Sequence, residues 1–186
     1  MSDLDLDLRT GLPDALLVLL KEYPREHWEA HPGYDGLIRF WLDRHMMFRR
    51  VLARLVDDAQ RRKDGDMDRR NFASGLARLG SGFVGELHGH HSIEDMHYFP
   101  VLATKDARVA AGFELLDKDH HALDAHLNRF VERANSALQA GDEDSAEVGR
   151  LVEELDALGR FLDRHLIDEE ELVVPVILKY GAGDLG

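Results

Sequence analysis

One short pattern occurs twice in this chain and limits what it can fold into. His90 is followed four residues later by Glu94 and six residues after that by Pro100; His165, Glu169 and Pro175 repeat the same spacing. On an α-helix, residues four apart project from one face, one turn apart. Each copy can therefore aim an imidazole and a carboxylate at a single point. Two such points make a candidate dinuclear metal site.

The copies are offset by 75 residues, and the offset reaches further than the pattern itself. It carries His45 onto His120, and Leu52, Arg54 and Val56 onto Leu127, Arg129 and Val131. The chain thus divides into two helical hairpins, each supplying one His and then His-x-x-x-Glu. Six candidate ligands stay in register: His45, His90, Glu94, His120, His165 and Glu169. The remaining histidines have no counterpart of like chemistry; His91 maps to Leu166, His97 to Leu172, His121 to Met46 and His126 to Val51. A lone His on an apolar helix face is usually a hydrogen-bonded core residue. Six in register are different, because buried carboxylates and imidazoles are costly unless a cation compensates them.

Taken in order, the chain reads as helices throughout. Residues 1–11 form a polar tail, and 13–23 a short apolar helix between Pro13 and Pro24 that clasps the main body. The first long helix is expected from about Tyr34 to Arg62, with a buried stripe that includes Trp41, His45 and Phe48. The turn at Lys63-Asp64-Gly65-Asp66 leads to a second helix from about Asp68 to Tyr98, ended or kinked at Pro100. Its interior glycines (75, 80, 82, 85 and 89) suggest a close approach to a neighbouring helix. A third helix runs from about Ala107 to Ala140. A fourth follows the acidic turn Asp142-Glu143-Asp144, read as helix N-terminal charge, and reaches Val174. Strand signals are absent. The expected fold is all-α, an antiparallel up-down-up-down four-helix bundle with a short extra N-terminal helix. The domain limits are 1–33 for the tail and clasp, 34–180 for the bundle and 181–186 for a C-terminal tail. Measured from the turns near residues 66, 105 and 142, the six candidate ligands fall within one or two helical turns of a common layer.

Composition narrows the chemistry. The 186 residues contain no cysteine, so the available ligands are His and carboxylate. A net charge of −13 argues against nucleic acid or an anionic membrane surface as partner. No signal pattern or transmembrane-length apolar run is evident, and a cytoplasmic location is the default expectation.

His45, the HHSIED…YFP stretch with His90 and Glu94, the DHHALD stretch with His120, and HLIDEEELVVP with His165 and Glu169 together resemble the hemerythrin-like (HHE cation-binding) family. The resemblance covers about residues 34–180. It implies a non-haem di-iron centre inside a four-helix bundle, with two iron ions and zinc or manganese as other divalent candidates. By analogy His45 and His90 would serve one ion, His120 and His165 the other, and Glu94 and Glu169 would bridge them. Oxygen-carrying hemerythrins have a second His four residues after the helix-three His; here that position is Asp124. Their fourth-helix carboxylate is an Asp at i+5, where this chain has Glu at i+4. One imidazole of the carrier's set is missing. That points away from simple reversible oxygen carriage and toward sensing, storage or detoxification of oxygen, nitric oxide or peroxide.

Glu86, one turn before His90, and His97, two turns after it, are candidates to hydrogen-bond a ligand imidazole or serve as auxiliary ligands, as is Asp124. Asp168, Glu170 and Glu171 read as a solvated face, and Trp41, Met46, Met47, Phe48 and Phe161 as core. No catalytic residue stands out. The expected partner is a small diatomic ligand, O2 or NO, with no nucleic acid and no membrane, and with a homodimer left open. The alternatives are a di-iron oxidase or peroxidase, an iron-delivery or repair protein, and a structural metal bundle acting as an interaction module.

Overall fold

A computed structural model describes residues 4–34, 36–141 and 145–185. The acidic turn at 142–144 lies outside the described residues. The described chain is all-helical, as expected. Helix α1 spans Val18–Glu22, α2 Gly36–Lys63, α3 Arg69–Ile93, α4 Phe99–Lys105, α5 Ala110–Gln139 and α6 Ser145–Tyr180. Among the described residues no helix is long and apolar enough to cross a membrane.

Local chemistry sets the helix limits. Gly65 adopts φ +85°, ending the turn after α2 in the left-handed region that glycine enters freely. Asp68 then caps α3, its Oδ1 accepting from the Asn71 N–H at 3.0 Å. At the end of α6, Gly181 takes φ +77° and its N–H returns to the Ile177 carbonyl at 2.8 Å. Two expected boundaries shift. The N-terminal helix covers only Val18–Glu22, with turns before it. The second long helix does not stop at Pro100; it widens into a π turn over Glu94–Tyr98, where the Phe99 N–H bonds back to the Glu94 carbonyl, and resumes as α4. Pro175, by contrast, sits inside an unbroken α6. Proline alone therefore does not account for the wide turn. Its first residue is Glu94, and such turns gather at functional positions.

The chain forms two compact units. The first contains the described parts of 1–46, 90–121 and 163–186, and all six candidate ligands belong to it. Its core joins Ile38 and Trp41 of α2, Phe99 and Leu102 of α4, Phe113 and Leu116 of α5, and Leu172–Leu178 of α6. Leu12, Leu19 and Trp28 are buried in the same cluster, so the segment before α2 is part of this core. The second unit, 47–89 and 122–162, is built on Phe48, Phe83 and Phe130, stacked edge to face at centroid distances of 6.3 and 6.4 Å.

The α3 glycines do not share the single role expected of them. A Cβ on Gly80 would come within 3.2 Å of Phe130, but Gly82, Gly85 and Gly89 face open space. The tight approach is at Gly112 of α5, where a Cβ would lie 2.7 Å from the buried Leu172. Alanine at these two kinds of position should act in opposite directions. Gly82→Ala should stabilise the protein by about 0.5–1 kcal/mol through helix propensity. Gly112→Ala should gain the same propensity but lose about 1–3 kcal/mol to overpacking, a net destabilisation. Urea denaturation of both variants checks the pair; a stabilised Gly112→Ala would contradict the packing described.

Candidate metal centre

The repeat predicts two points, each an imidazole with the carboxylate four residues on; inside the first unit two groups of ligand atoms converge, divided differently, with Glu169 among the His90 group. Side-chain donors of His45, His90, Glu94 and Glu169 lie within 4.8 Å of one another, and so do those of His91, His120 and His165. All are buried except His90, which is half-buried. α2 contributes His45, α3 the neighbours His90 and His91, the π turn Glu94, α5 His120, and α6 both His165 and Glu169.

The carboxylates lie between the two imidazole groups. Glu94 turns Oε1 toward His90 Nε2 at 2.9 Å and Oε2 toward His120 Nε2 at 3.6 Å. Glu169 turns Oε1 toward His45 Nε2 at 3.4 Å and Oε2 toward His165 Nε2 at 3.6 Å. Each thus presents one oxygen to the His45/His90 end and the other to the His120/His165 end. The Trp41 indole N–H also donates to Glu169 Oε1.

His91 is a residue the repeat could not find, because its counterpart is Leu166. It is buried and stacks on His120 with ring centroids 4.0 Å apart and planes 10° apart. Phe99 covers the same imidazole at 5.5 Å. His91 and His165 stand edge to face at 5.3 Å. Adjacent residues on a helix point about 100° apart. His90 meets His45, with Nε2 atoms 3.2 Å apart, while His91 joins the other end.

Behind the imidazoles lies a ring of carboxylates. His45 Nδ1–H donates to Glu170 Oε1 at 3.0 Å, and His120 Nδ1–H to Asp95 Oδ1 at 2.7 Å. Asp119 Oδ2 lies 3.6 Å from His165 Nδ1. These contacts direct the Nε2 atoms of His45 and His120 inward. The three residues expected in this role are elsewhere: Glu86, His97 and Asp124 are exposed. For His97 the reason is the π turn, whose longer period breaks the seven-residue return to the face of His90. Asp124 lies 4.0 Å from His88 Nδ1. Asp168 and Glu170, read as a solvated face, are buried, with 0% and 3% of their surface exposed.

The electrostatics are those of carboxylates and imidazoles crowded together out of water. Burial and the charge of Glu169 push the Glu94 carboxyl well above the usual carboxylate range. Burial would raise Glu169 too, but His45, by charge and hydrogen bond, holds it well below that range. Burial lowers the His90 imidazole to about 3. It lowers His91 and His165 as well, keeping these three imidazoles neutral as cation ligands require, whereas at His45 burial is outweighed by the charges and hydrogen bonds of Glu169 and Glu170, which raise it. Buried atoms without a hydrogen-bond partner concentrate here: both oxygens of Glu94, Oε2 of Glu169, Nε2 of His91 and His120, and both ring nitrogens of His165. Native interiors rarely leave so many acceptors unmet in one place. A cation on the inward-facing atoms would satisfy all of these but His165 Nδ1, which faces Asp119, and the donor set of imidazole and carboxylate without thiolate suits a borderline or hard dication.

Comparison with known proteins agrees with this geometry. No curated protein and no solved structure matches the chain. The family model of the hemerythrin HHE cation-binding domain matches residues 36–177, a span containing every inward-facing imidazole and carboxylate described above. The chain belongs to the hemerythrin HHE cation-binding domain family.

Proposed function

We propose that this protein holds a dinuclear iron centre and uses it to bind dioxygen or a related small molecule, nitric oxide or peroxide, for sensing, storage or detoxification. The observation that carries the reading is the pair of carboxylates, each with one oxygen toward each imidazole group. His45 and His90 would hold one ion, His120 and His165 the other, with Glu94 and Glu169 shared between them. His91 supplies a third imidazole at the second end, in place of the helix-three imidazole that Asp124 does not provide. The two ends then differ by one ligand, leaving the His45/His90 end the more open to a small molecule.

Iron supplies redox change and a coordination position for the small ligand. The protein does the rest. Glu170 and Asp95 accept the Nδ1 protons of His45 and His120 and so fix which nitrogen faces the ion. Trp41 donates to the shared carboxylate Glu169, and Phe99 packs on His120, keeping that side dry.

Protein purified with iron, or reconstituted with Fe(II) without air, should contain two irons per chain. Exposed to air, it should develop near-ultraviolet and visible charge-transfer absorption, and diffraction at the iron edge should show two anomalous peaks. Full iron occupancy with no absorption change would remove the oxygen-binding reading. Preferential retention of zinc would favour a structural metal bundle.

A further inference from the structure

Two arginines reach the centre from outside the region the family model matches. Arg9 and Arg25 precede residue 36, where that match begins. Arg9 is buried and grips Asp119 with two nitrogens, Nη1 to Oδ1 at 2.9 Å and Nη2 to Oδ2. Its Nε donates to Asp168 Oδ2 at 2.8 Å. Asp119 is the carboxylate behind His165. Arg25 Nη1 donates to Glu170 Oε2 at 2.8 Å, and Glu170 is the carboxylate behind His45. Arg25 is steadied by Trp28, whose ring lies 4.6 Å beneath its guanidinium carbon. The same N-terminal segment therefore touches the outer carboxylates of both ends, once at each.

The segment is itself tied down. Arg9 Nη1 also donates to the Leu4 carbonyl, Arg164 Nη1 to the Thr10 carbonyl, and Lys118 to Asp5. Arg164 Nη2 holds the other oxygen of Asp168 at 2.6 Å. Leu12, Leu19 and Trp28 anchor the intervening chain in the core. A guanidinium that binds a carboxylate with two parallel bonds fixes its direction as well as its charge. Without Arg9, Asp119 would be a buried carboxylate with no cation to hold it against His165.

We propose that the N-terminal segment is a strap that completes the outer sphere of both ends of the metal centre, Arg9 positioning Asp119 on His165 and Arg25 positioning Glu170 on His45. The inference rests on the metal-binding reading above. Each arginine acts on one end alone. Strap docking thereby tunes how basic each imidazole is and how tightly each ion is held.

Cobalt(II) titrated into the metal-free full chain, followed by its visible bands and by chelator competition, tests this. Wild type should bind two cobalt ions. Arg9→Gln should weaken one of them about 10–100-fold and leave the other unchanged, and Arg25→Gln should weaken the other. The Arg9→Gln effect should vanish in an Asp119→Asn background. Arg9→Lys, which keeps the charge but not the two-pronged grip, should recover only part of the loss, and it serves should Arg9→Gln not fold. In the metal-free protein, Arg9→Gln should shift the imidazole nitrogen resonances of His165 and not those of His45. Equal weakening of both ions by either variant, an unchanged affinity, or an Arg9 effect that persists without Asp119 would overturn the strap alone. Wild type that binds no cobalt would overturn the metal reading and the strap together.

Discussion

Glu94→Gln is expected to abolish tight binding of the ion pair while leaving the metal-free protein more stable than wild type. The two effects come from the same carboxylate. In metal-free protein Glu94 is fully buried beside Glu169, and burial together with that charge pushes its pKa well above the ordinary 4.5. A group whose folded pKa is raised stabilises the fold below its unfolded value, and the contribution is lost as pH rises through the folded one. Above about pH 4.5, then, wild type progressively loses stability that the variant keeps, since glutamine stands in for the protonated acid and never ionises. Glu169 stays ionised in both proteins, held by His45. The gap should favour the variant by about 1–2 kcal/mol near pH 8, at the low end of what relieving a buried charge yields. Adding metal should invert the order, because an amide cannot replace an anionic oxygen at each end. Urea unfolding at pH 6 and pH 8, with chelator and with Fe(II), reads both signs. A metal-free wild type more stable than Glu94→Gln at pH 8 would refute the account of the pair.

The second large effect is on thermal stability. A ligand that binds only the folded state, at a free concentration a thousand times its Kd, stabilises by about 4 kcal/mol. For a chain of this size each kcal/mol moves Tm by about 2–4 °C. Each ion bound at that excess should therefore raise Tm by about 10 °C, reversibly with chelator. The gain should shrink as pH falls toward 5, where protons compete for the Glu94 carboxylate, raised by burial and by the charge of Glu169, and for His45, which the charge of Glu169 raises against its burial. Glu169→Gln should show little of it. Scanning fluorimetry of anaerobic samples is sufficient, and a shift under about 2 °C at saturating metal would contradict the site as built, because half that stabilisation would already exceed it.

Which parts of this centre could be read from the residues follows from how helices display them. The 75-residue offset exposes any feature present in both hairpins, and His45, His90, Glu94, His120, His165 and Glu169 are such features. All six converge within one unit. His91 is present in one hairpin only, so a search by symmetry passes over it. Asp95, Asp119 and Glu170 are hidden differently. Each sits beside a candidate ligand in sequence yet reaches an imidazole on another helix. Only tertiary packing makes those pairings. One signal was available: Leu172–Leu178 is apolar on every side, and a helix apolar all round is surrounded. Asp168 and Glu170 lie just before that run, where covered rather than solvated carboxylates are to be expected. The π turn left no trace beyond Pro100, and Pro175 shows that proline alone does not produce one.

His90 and His91 are joined by a peptide bond, and this has a mechanical consequence. His45, His120 and His165 each serve one end from separate helices, so their spacing follows every fluctuation in helix packing. The α3 pair does not. Its two Cα atoms are held about 3.8 Å apart by covalent geometry. A rotation of α3 that advanced one ring would withdraw the other, so neither end can be tightened at α3 without loosening its neighbour. At α3, then, the backbone fixes where the two side chains start, and only the torsions of the two rings, whose centroids lie 5.7 Å apart, set how far each reaches.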